Sequence, residues 1–199
     1  YQSPNTGFYL GFNMPRPQLP PCMITDLRWK STNTFTDYKH SVTTTYTDGK
    51  SVLLDLNTDK ELTINEDMAP SIMYAMPVKN QVITINGNGK LSGDMELWKS
   101  QAGRLIINNP TTYSGKTVIS QGTLEINGEI LGLTDLRARG TLAGNAIVND
   151  IIHESALNYE GARLSPGTTT TDIENEYDTE NNAIGIITFK KGFTIENRM

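Results

Sequence analysis

Between Gly87 and Gly167 one short phrase keeps returning. It reads Gly89-Lys90-Leu91, Gly103-Arg104-Leu105, Gly122-Thr123-Leu124, Gly140-Thr141-Leu142 and, more loosely, Ala162-Arg163-Leu164. The starts lie 14, 19, 18 and 22 residues apart (103−89, 122−103, 140−122, 162−140), which suits one coil of a strand-built solenoid and is short for paired helices. Around each phrase apolar and polar residues alternate, as in Leu105-Ile106-Ile107, Leu124-Glu125-Ile126 and Ala146-Ile147-Val148, and Asn and Gly break the runs. That pattern predicts short strands with tight corners. A single coil cannot bury its inward row of Leu and Ile, so the coils must stack, each covering the apolar edge of the one before.

The rest of the chain fits around this region. Of the 17 glycines, 14 fall at or after Gly87, where corners need positive φ. Residues 1–25 carry Pro4, Pro15, Pro17, Pro20 and Pro21, which remove backbone donors and fix φ, so they read as a linker or the tail of a preceding domain. Residues 26–86 read as an N-terminal β cap and first coils. Ser41 to Tyr46 is rich in β-branched residues, Asp48-Gly49 is a turn signal, and Ser51 to Leu56 and Glu61 to Ile64 follow as strand candidates. Residues 87–199 form the repeat region, interrupted by an acidic loop at 168–182. Beyond it, Ile184 to Phe189 and Gly192 to Ile195 are expected to pair as a closing hairpin that covers an open strand edge.

Charge and composition exclude several function classes. The 17 Lys and Arg residues are scattered and the formal charge is −5, which leaves no basic stripe for nucleic acid. No apolar run approaches the roughly 18 to 20 residues of a membrane-spanning helix. The lone Cys22 rules out an internal disulfide. The start at Tyr1, without a leader, suggests a fragment of something longer.

Asn109-Pro110-Thr111-Thr112-Tyr113-Ser114-Gly115-Lys116-Thr117-Val118-Ile119-Ser120-Gln121-Gly122-Thr123-Leu124-Glu125-Ile126 resembles the autotransporter-associated β-strand repeat. Gly140-Thr141-Leu142-Ala143-Gly144-Asn145, then Leu164-Ser165-Pro166-Gly167 and Ile184-Gly185-Ile186-Ile187-Thr188-Phe189, is similar to the succession usual in that family. The acidic insertion before Ile184 departs from it. The resemblance covers roughly residues 81 to 196 and implies an all-β fold, a single-stranded right-handed parallel β-helix of a secreted or surface bacterial protein. At the other end, Gly7-Phe8-Tyr9-Leu10-Gly11-Phe12-Asn13-Met14-Pro15-Arg16-Pro17 resembles the closing segment of family 11 rhamnogalacturonan lyases. That would make the chain the C-terminal part of a pectin-degrading enzyme, and the matching stretch carries no catalytic residue.

No stretch of the sequence assembles catalytic chemistry. His40 and His153 stand apart and lack partners at metal-ligand spacing. Ser114, Ser120 and Ser165 have no nucleophile-elbow context. The fragment is expected to be non-catalytic, without a cofactor. Asp172, Glu174, Glu176 and Asp178 alternate along the acidic loop and offer carboxylates for calcium, but the loop lacks a calcium-binding motif and reads first as solvated. Trp29, Trp98, Tyr113 and Tyr159 are the aromatics that would stack on sugar rings; for Trp98, in the strand candidate Met95 to Trp98, core packing is the competing reading. Asn86, Asn108, Asn109 and Asn127 recur at strand ends and read as structural. A lyase site on the coils themselves would need Arg104, Arg137, Arg139 and Arg163 to line up, with Arg104 and Arg163 both pointing outward. The expected protein is a monomeric spacer, scaffold or interaction module whose partner is a polysaccharide or another domain of the same protein. An adhesin passenger is the further alternative.

Overall fold

The computed structural model describes residues 25–54, 58, 60–152, 161–167 and 185–191. Among these residues there is no helix. The chain enters through an antiparallel cap, β1 (Leu27–Ser31), β2 (Thr34–Asp37) and β3 (Thr43–Thr44). Then come β4 (Val52–Leu54), β5 (Glu61–Thr63), β6 (Ile72–Ala75), β7 (Val82–Asn86), β8 (Glu96–Lys99) and β9 (Arg104–Ile107). They are followed by β10 (Thr117–Ile119), β11 (Gly122–Ile126), β12 (Glu129–Leu136), β13 (Gly140–Gly144), β14 (Ile147–Ile152), β15 (Arg163–Pro166) and β16 (Thr188–Phe189). From β4 onward the strands alternate between two sheets. The even-numbered ones join the cap in a ten-stranded sheet, and β5 to β15 make a six-stranded one. Every pairing between these later strands is parallel. Parallel neighbours one coil apart, alternating between two sheets, are a β-solenoid.

A β-strand cannot satisfy its own backbone groups, so the N–H and C=O bonds run along the solenoid axis to the coils on either side. Alternation then sends every second side chain inward. On the shorter sheet, Ile83, Leu105, Leu124, Leu142 and Leu164 stand in one row, and Leu62, Ile85, Ile107 and Ile126 in the next. On the longer sheet, Val52, Met73 and Leu97 form an inward row, and Thr117 and Thr134 continue it. A third, shorter side closes the coil where Met68, Leu91 and Thr111 make parallel bridges. The result is one continuous core from the cap to the last coils.

The register refines the repeat. Gly103, Gly122, Gly140 and Ala162 each open a strand of the shorter sheet, as the phrase predicts. Gly89-Lys90-Leu91 does not; Leu91 bridges Thr111 on the third side, and Ile83 is the residue that precedes Leu105. The short first spacing marks that difference. Parallel stacking begins where Leu27 of β1 pairs with Val52 of β4, and it continues past residues 86 and 87 without a break. The expected closing hairpin is also revised: β16 joins β14 in parallel, as one more coil, and Gly192 to Ile195 lies outside the described residues.

Two devices hold the corners. At the end of the shorter sheet, Asn108 Nδ2 donates to Asn86 Oδ1 at 2.8 Å and Asn127 Nδ2 donates to Asn108 Oδ1 at 2.7 Å. The backbone N–H of Asn145 continues the ladder onto Asn127 Oδ1 at 3.1 Å. Asn109 is buried and caps the carbonyls of Gly89 and Ile64. The second device is Lys99, at an inward position in line with Ala75 and Ile119. Its Nζ donates to the carbonyls of Ser100, Gln101 and Gln121 at 3.1, 2.9 and 2.9 Å. Gly122 is required beside it. Its φ is 70°, and a Cβ there would sit 2.4 Å from the Gln101 carbonyl oxygen and 2.8 Å from Lys99 Nζ.

The cap closes the N-terminal end of the stack with aromatic rings. Trp29 stacks on Phe35 with centroids 5.4 Å apart, and Phe35 meets Tyr46 at 5.4 Å. Trp29 belongs to the core for this reason.

Candidate functional site

Where inward positions are filled by the core, chemistry is left to the outer faces. On the longer sheet the register places Tyr74, Trp98, Val118 and Asp135 in one outward row on four successive coils. Glu96 lies two residues before Trp98, Lys116 immediately before β10, and Arg137 immediately after β12. Three coils therefore bring Glu96, Trp98, Lys116, Asp135 and Arg137 to one patch.

The centre of the patch is Asp135. Its carboxylate is 0% exposed, and Oδ2 accepts from Lys116 Nζ at 2.9 Å and from Arg137 at 3.0 Å (Nη2) and 3.2 Å (Nε). Oδ1 is buried and has no hydrogen-bond partner. The two cations share this one carboxylate and remain partly exposed at 35% and 27%. Trp98 lies beside them, half-buried. Its indole N–H donates to Glu96 Oε2 at 3.0 Å, and the Arg137 guanidinium carbon is 5.6 Å from the ring centroid. These two contacts fix the orientation of the ring. The patch thus offers a half-buried aromatic ring and two partly exposed cations in one place, held from beneath by the buried Asp135 carboxylate, and such a ring and cations can hold a hydroxyl-bearing ligand by stacking and hydrogen bonds. Its four charges cancel: Lys116 and Arg137 against Asp135 and Glu96.

The residues expected to stack on sugars separate here. Trp98 is in the patch. Trp29 and Tyr113 are fully buried, so neither ring faces solvent; the Tyr113 hydroxyl is tied to Thr117 Oγ1 at 2.8 Å inside the coil. Burial holds the Tyr113 phenol well above its ordinary pKa. Tyr159 lies outside the described residues, as do Asp172, Glu174, Glu176 and Asp178, His153 and Cys22. Among the described residues no group of three or more His, Cys, Asp or Glu side chains is placed to hold a metal ion. His40 makes a surface contact with Asp37 at 2.9 Å.

The arginines do not line up. Arg104 and Arg163 share one outward row of the shorter sheet, but Thr123 and Thr141 stand between them. Arg104 is buried against Glu125 on the next coil, where the two side chains form an ion pair on the outer surface of the sheet. Arg163 is exposed. Arg137 follows β12 of the other sheet, and Arg139 occupies the following corner with φ 68°. Alternation by two sets the direction of Arg104 correctly; its burial depends on Glu125, 21 residues later, which no local pattern reveals.

Lys116, Asp135 and Glu96 were not singled out by sequence reasoning. The usable signal was their spacing. Glu96 and Lys116 are 20 residues apart (116−96), one coil, and the intervals from Trp98 to Val118 and from Val118 to Asp135 are 20 and 17. The register needed to read those intervals came only with the fold.

A stack of parallel coils closed at one end by an antiparallel cap, with its polar chemistry on an outer face, is a β-solenoid protein. Compared with protein-family models, curated proteins and solved structures, the chain finds no match. No helix among the described residues is long and apolar enough to cross a membrane.

Proposed function

We propose that this chain is a non-catalytic β-solenoid module of a secreted or cell-surface bacterial protein, serving as a spacer whose outer face contacts polysaccharide. The observation that supports this reading is the fixed, half-exposed Trp98 ring flanked by Arg137 and Lys116 on neighbouring coils. A sugar ring stacks on the exposed part of Trp98 and meets Lys116 and Arg137 from the following coils, because the rest of that outward row, Tyr74, Val118 and Asp135, is buried. The backbone ladders keep that surface stiff, so little ordering cost attends binding. The mechanism is steric and additive, with no bond made or broken. The resemblance at Gly7 to Pro17 directs the choice of ligands to pectic polymers.

The test measures binding of rhamnogalacturonan and homogalacturonan fragments to the chain and to Trp98→Ala, while following the ultraviolet absorbance of an unsaturated uronide. Binding without turnover, weakened about tenfold in Trp98→Ala, is the expected result. Turnover would overturn the non-catalytic reading, and equal binding by the variant would remove the patch from it.

A further inference from the structure

A concave surface lies away from the Trp98 face, where the cap hairpin meets the first coils. Beyond the Trp29, Phe35 and Tyr46 stack, the hairpin and the corner after β5 diverge and leave an open cleft of about 420 Å³. One wall carries Asn33, Thr45 and Tyr46; the other carries Thr63, Asn65, Glu66 and Asp67. We propose that this cleft is a binding site for an uncharged saccharide, separate from the Trp98 face and independent of the reading given to it.

Three observations carry the inference. The first is that the cleft is held open by its own walls. Thr63 N donates to Thr32 Oγ1 at 3.0 Å and ties them at one end. At the other end Asp48 Oδ1 accepts from Ala69 N at 2.9 Å and from the Tyr46 hydroxyl at 2.9 Å, while Gly49 N donates to the Ala69 carbonyl at 2.8 Å. A cleft pinned at both ends neither collapses nor needs ordering when a ligand enters. Second, its chemistry is uncommitted. Asp67 Oδ1 is taken by Lys90 N at 2.9 Å, but the side chains of Asn33, Thr45, Asn65 and Glu66 make no hydrogen bond to another described residue. Two amides, a hydroxyl and a carboxylate supply donors and acceptors in the mixture that vicinal hydroxyl groups require. The half-buried Tyr46 ring supplies an apolar surface for the C–H face of a sugar.

The third observation is charge. Among the described residues no Lys, Arg or His lines the cleft, and Glu66 and Asp67 belong to its lining. An acidic sugar would bring a carboxylate against two others without a cation to receive it, whereas hydroxyl groups can donate to both. Selectivity for neutral over acidic saccharides follows from this acidic, cation-free set of described lining residues.

Nuclear magnetic resonance titration decides the matter, using cellotetraose, maltotetraose and β-1,4-galactotetraose as neutral probes and trigalacturonate as the acidic one. At least one neutral probe is expected to shift the side-chain amide signals of Asn33 and Asn65 at millimolar concentration, with trigalacturonate leaving them in place. The double variant Asn33→Ala/Asn65→Ala alters two exposed side chains and should keep the thermal transition while weakening that binding by about tenfold or more. Trp98→Ala should leave it unchanged, which separates this site from the outer face. The proposal is overturned if no neutral probe reaches those amides up to about 10 mM, if trigalacturonate binds there equally well, or if the double variant binds as the parent does.

Discussion

Lys99 points its ammonium group into the solenoid and donates to the carbonyl of Gln121, one coil further along, at 2.9 Å. Two more carbonyls, of Ser100 and Gln101, complete its shell, so a charged side chain stands where Ala75 and Ile119 stand on the coils either side. Burial draws its pKa down from 10.5 to about 7. The folded protein therefore gives up this proton more readily than the unfolded chain does.

Stability should consequently depend on pH through Lys99. Between about 7 and 10.5 the unfolded chain holds the proton and the folded one releases it, so stability rises with pH across that window and is lower, and flat, below it. The slope from one group is at most about 1.4 kcal/mol per pH unit. Denaturant unfolding at pH 7 and pH 9.5 measures it, and Lys99→Met should abolish the difference. Tyr46 and Tyr113, both held above their ordinary value of 10.0, act in the same sense as each other above that pH and make the folded state lose stability there.

The buried pair of Arg104 and Glu125 should behave asymmetrically. Glu125→Ala leaves a guanidinium buried without its partner and is expected to cost about 3 kcal/mol or more. Arg104→Met combined with Glu125→Leu removes both charges and should recover most of that loss. Urea midpoints of the two variants provide the comparison, and equal loss in both would show that packing rather than charge governs the site.

Leu124 sits in the middle of the inward row between Leu105 and Leu142 and is fully buried. Leu124→Ala should destabilise the protein by about 2 to 5 kcal/mol. A loss below about half a kcal/mol would contradict the inward assignment.

The asparagine ladder offers a smaller effect with a local signature. Asn108→Ala removes one hydrogen bond to Asn86 and one from Asn127, and because both are exposed the cost should be about 1 kcal/mol. Hydrogen exchange should quicken at the corner residues of the two neighbouring coils before it does elsewhere.

The patch depends on Asp135. Asp135→Asn withdraws the charge shared by Lys116 and Arg137, and both cations should become more mobile, with a shift in Trp98 fluorescence as Arg137 leaves the ring. An unchanged emission spectrum would mean that Glu96 alone positions the indole.

By itself the sequence determined that this chain is a stack of short strands. Alternating Leu and Ile at coil spacing, with Asn and Gly at the corners, has few other solutions, because each coil must cover its neighbour's apolar row. Alternation also set which way Leu105, Leu124 and Leu142 point, and the recurring asparagines marked the corner ladder. Tertiary structure alone decided the register. The 14-residue spacing before Gly103 joined two different sides of the coil, and only pairing with Ile83 corrected it. Register in turn decided which charged residues meet: Arg104 with Glu125, Lys116 and Arg137 with Asp135. It also decided that Trp29 and Tyr113 are core while Trp98 reaches the surface. The physical reason is the same throughout. A strand's side-chain direction is local, repeating every two residues, but its neighbours across the sheet are set by the length of each corner, and those lengths vary from coil to coil.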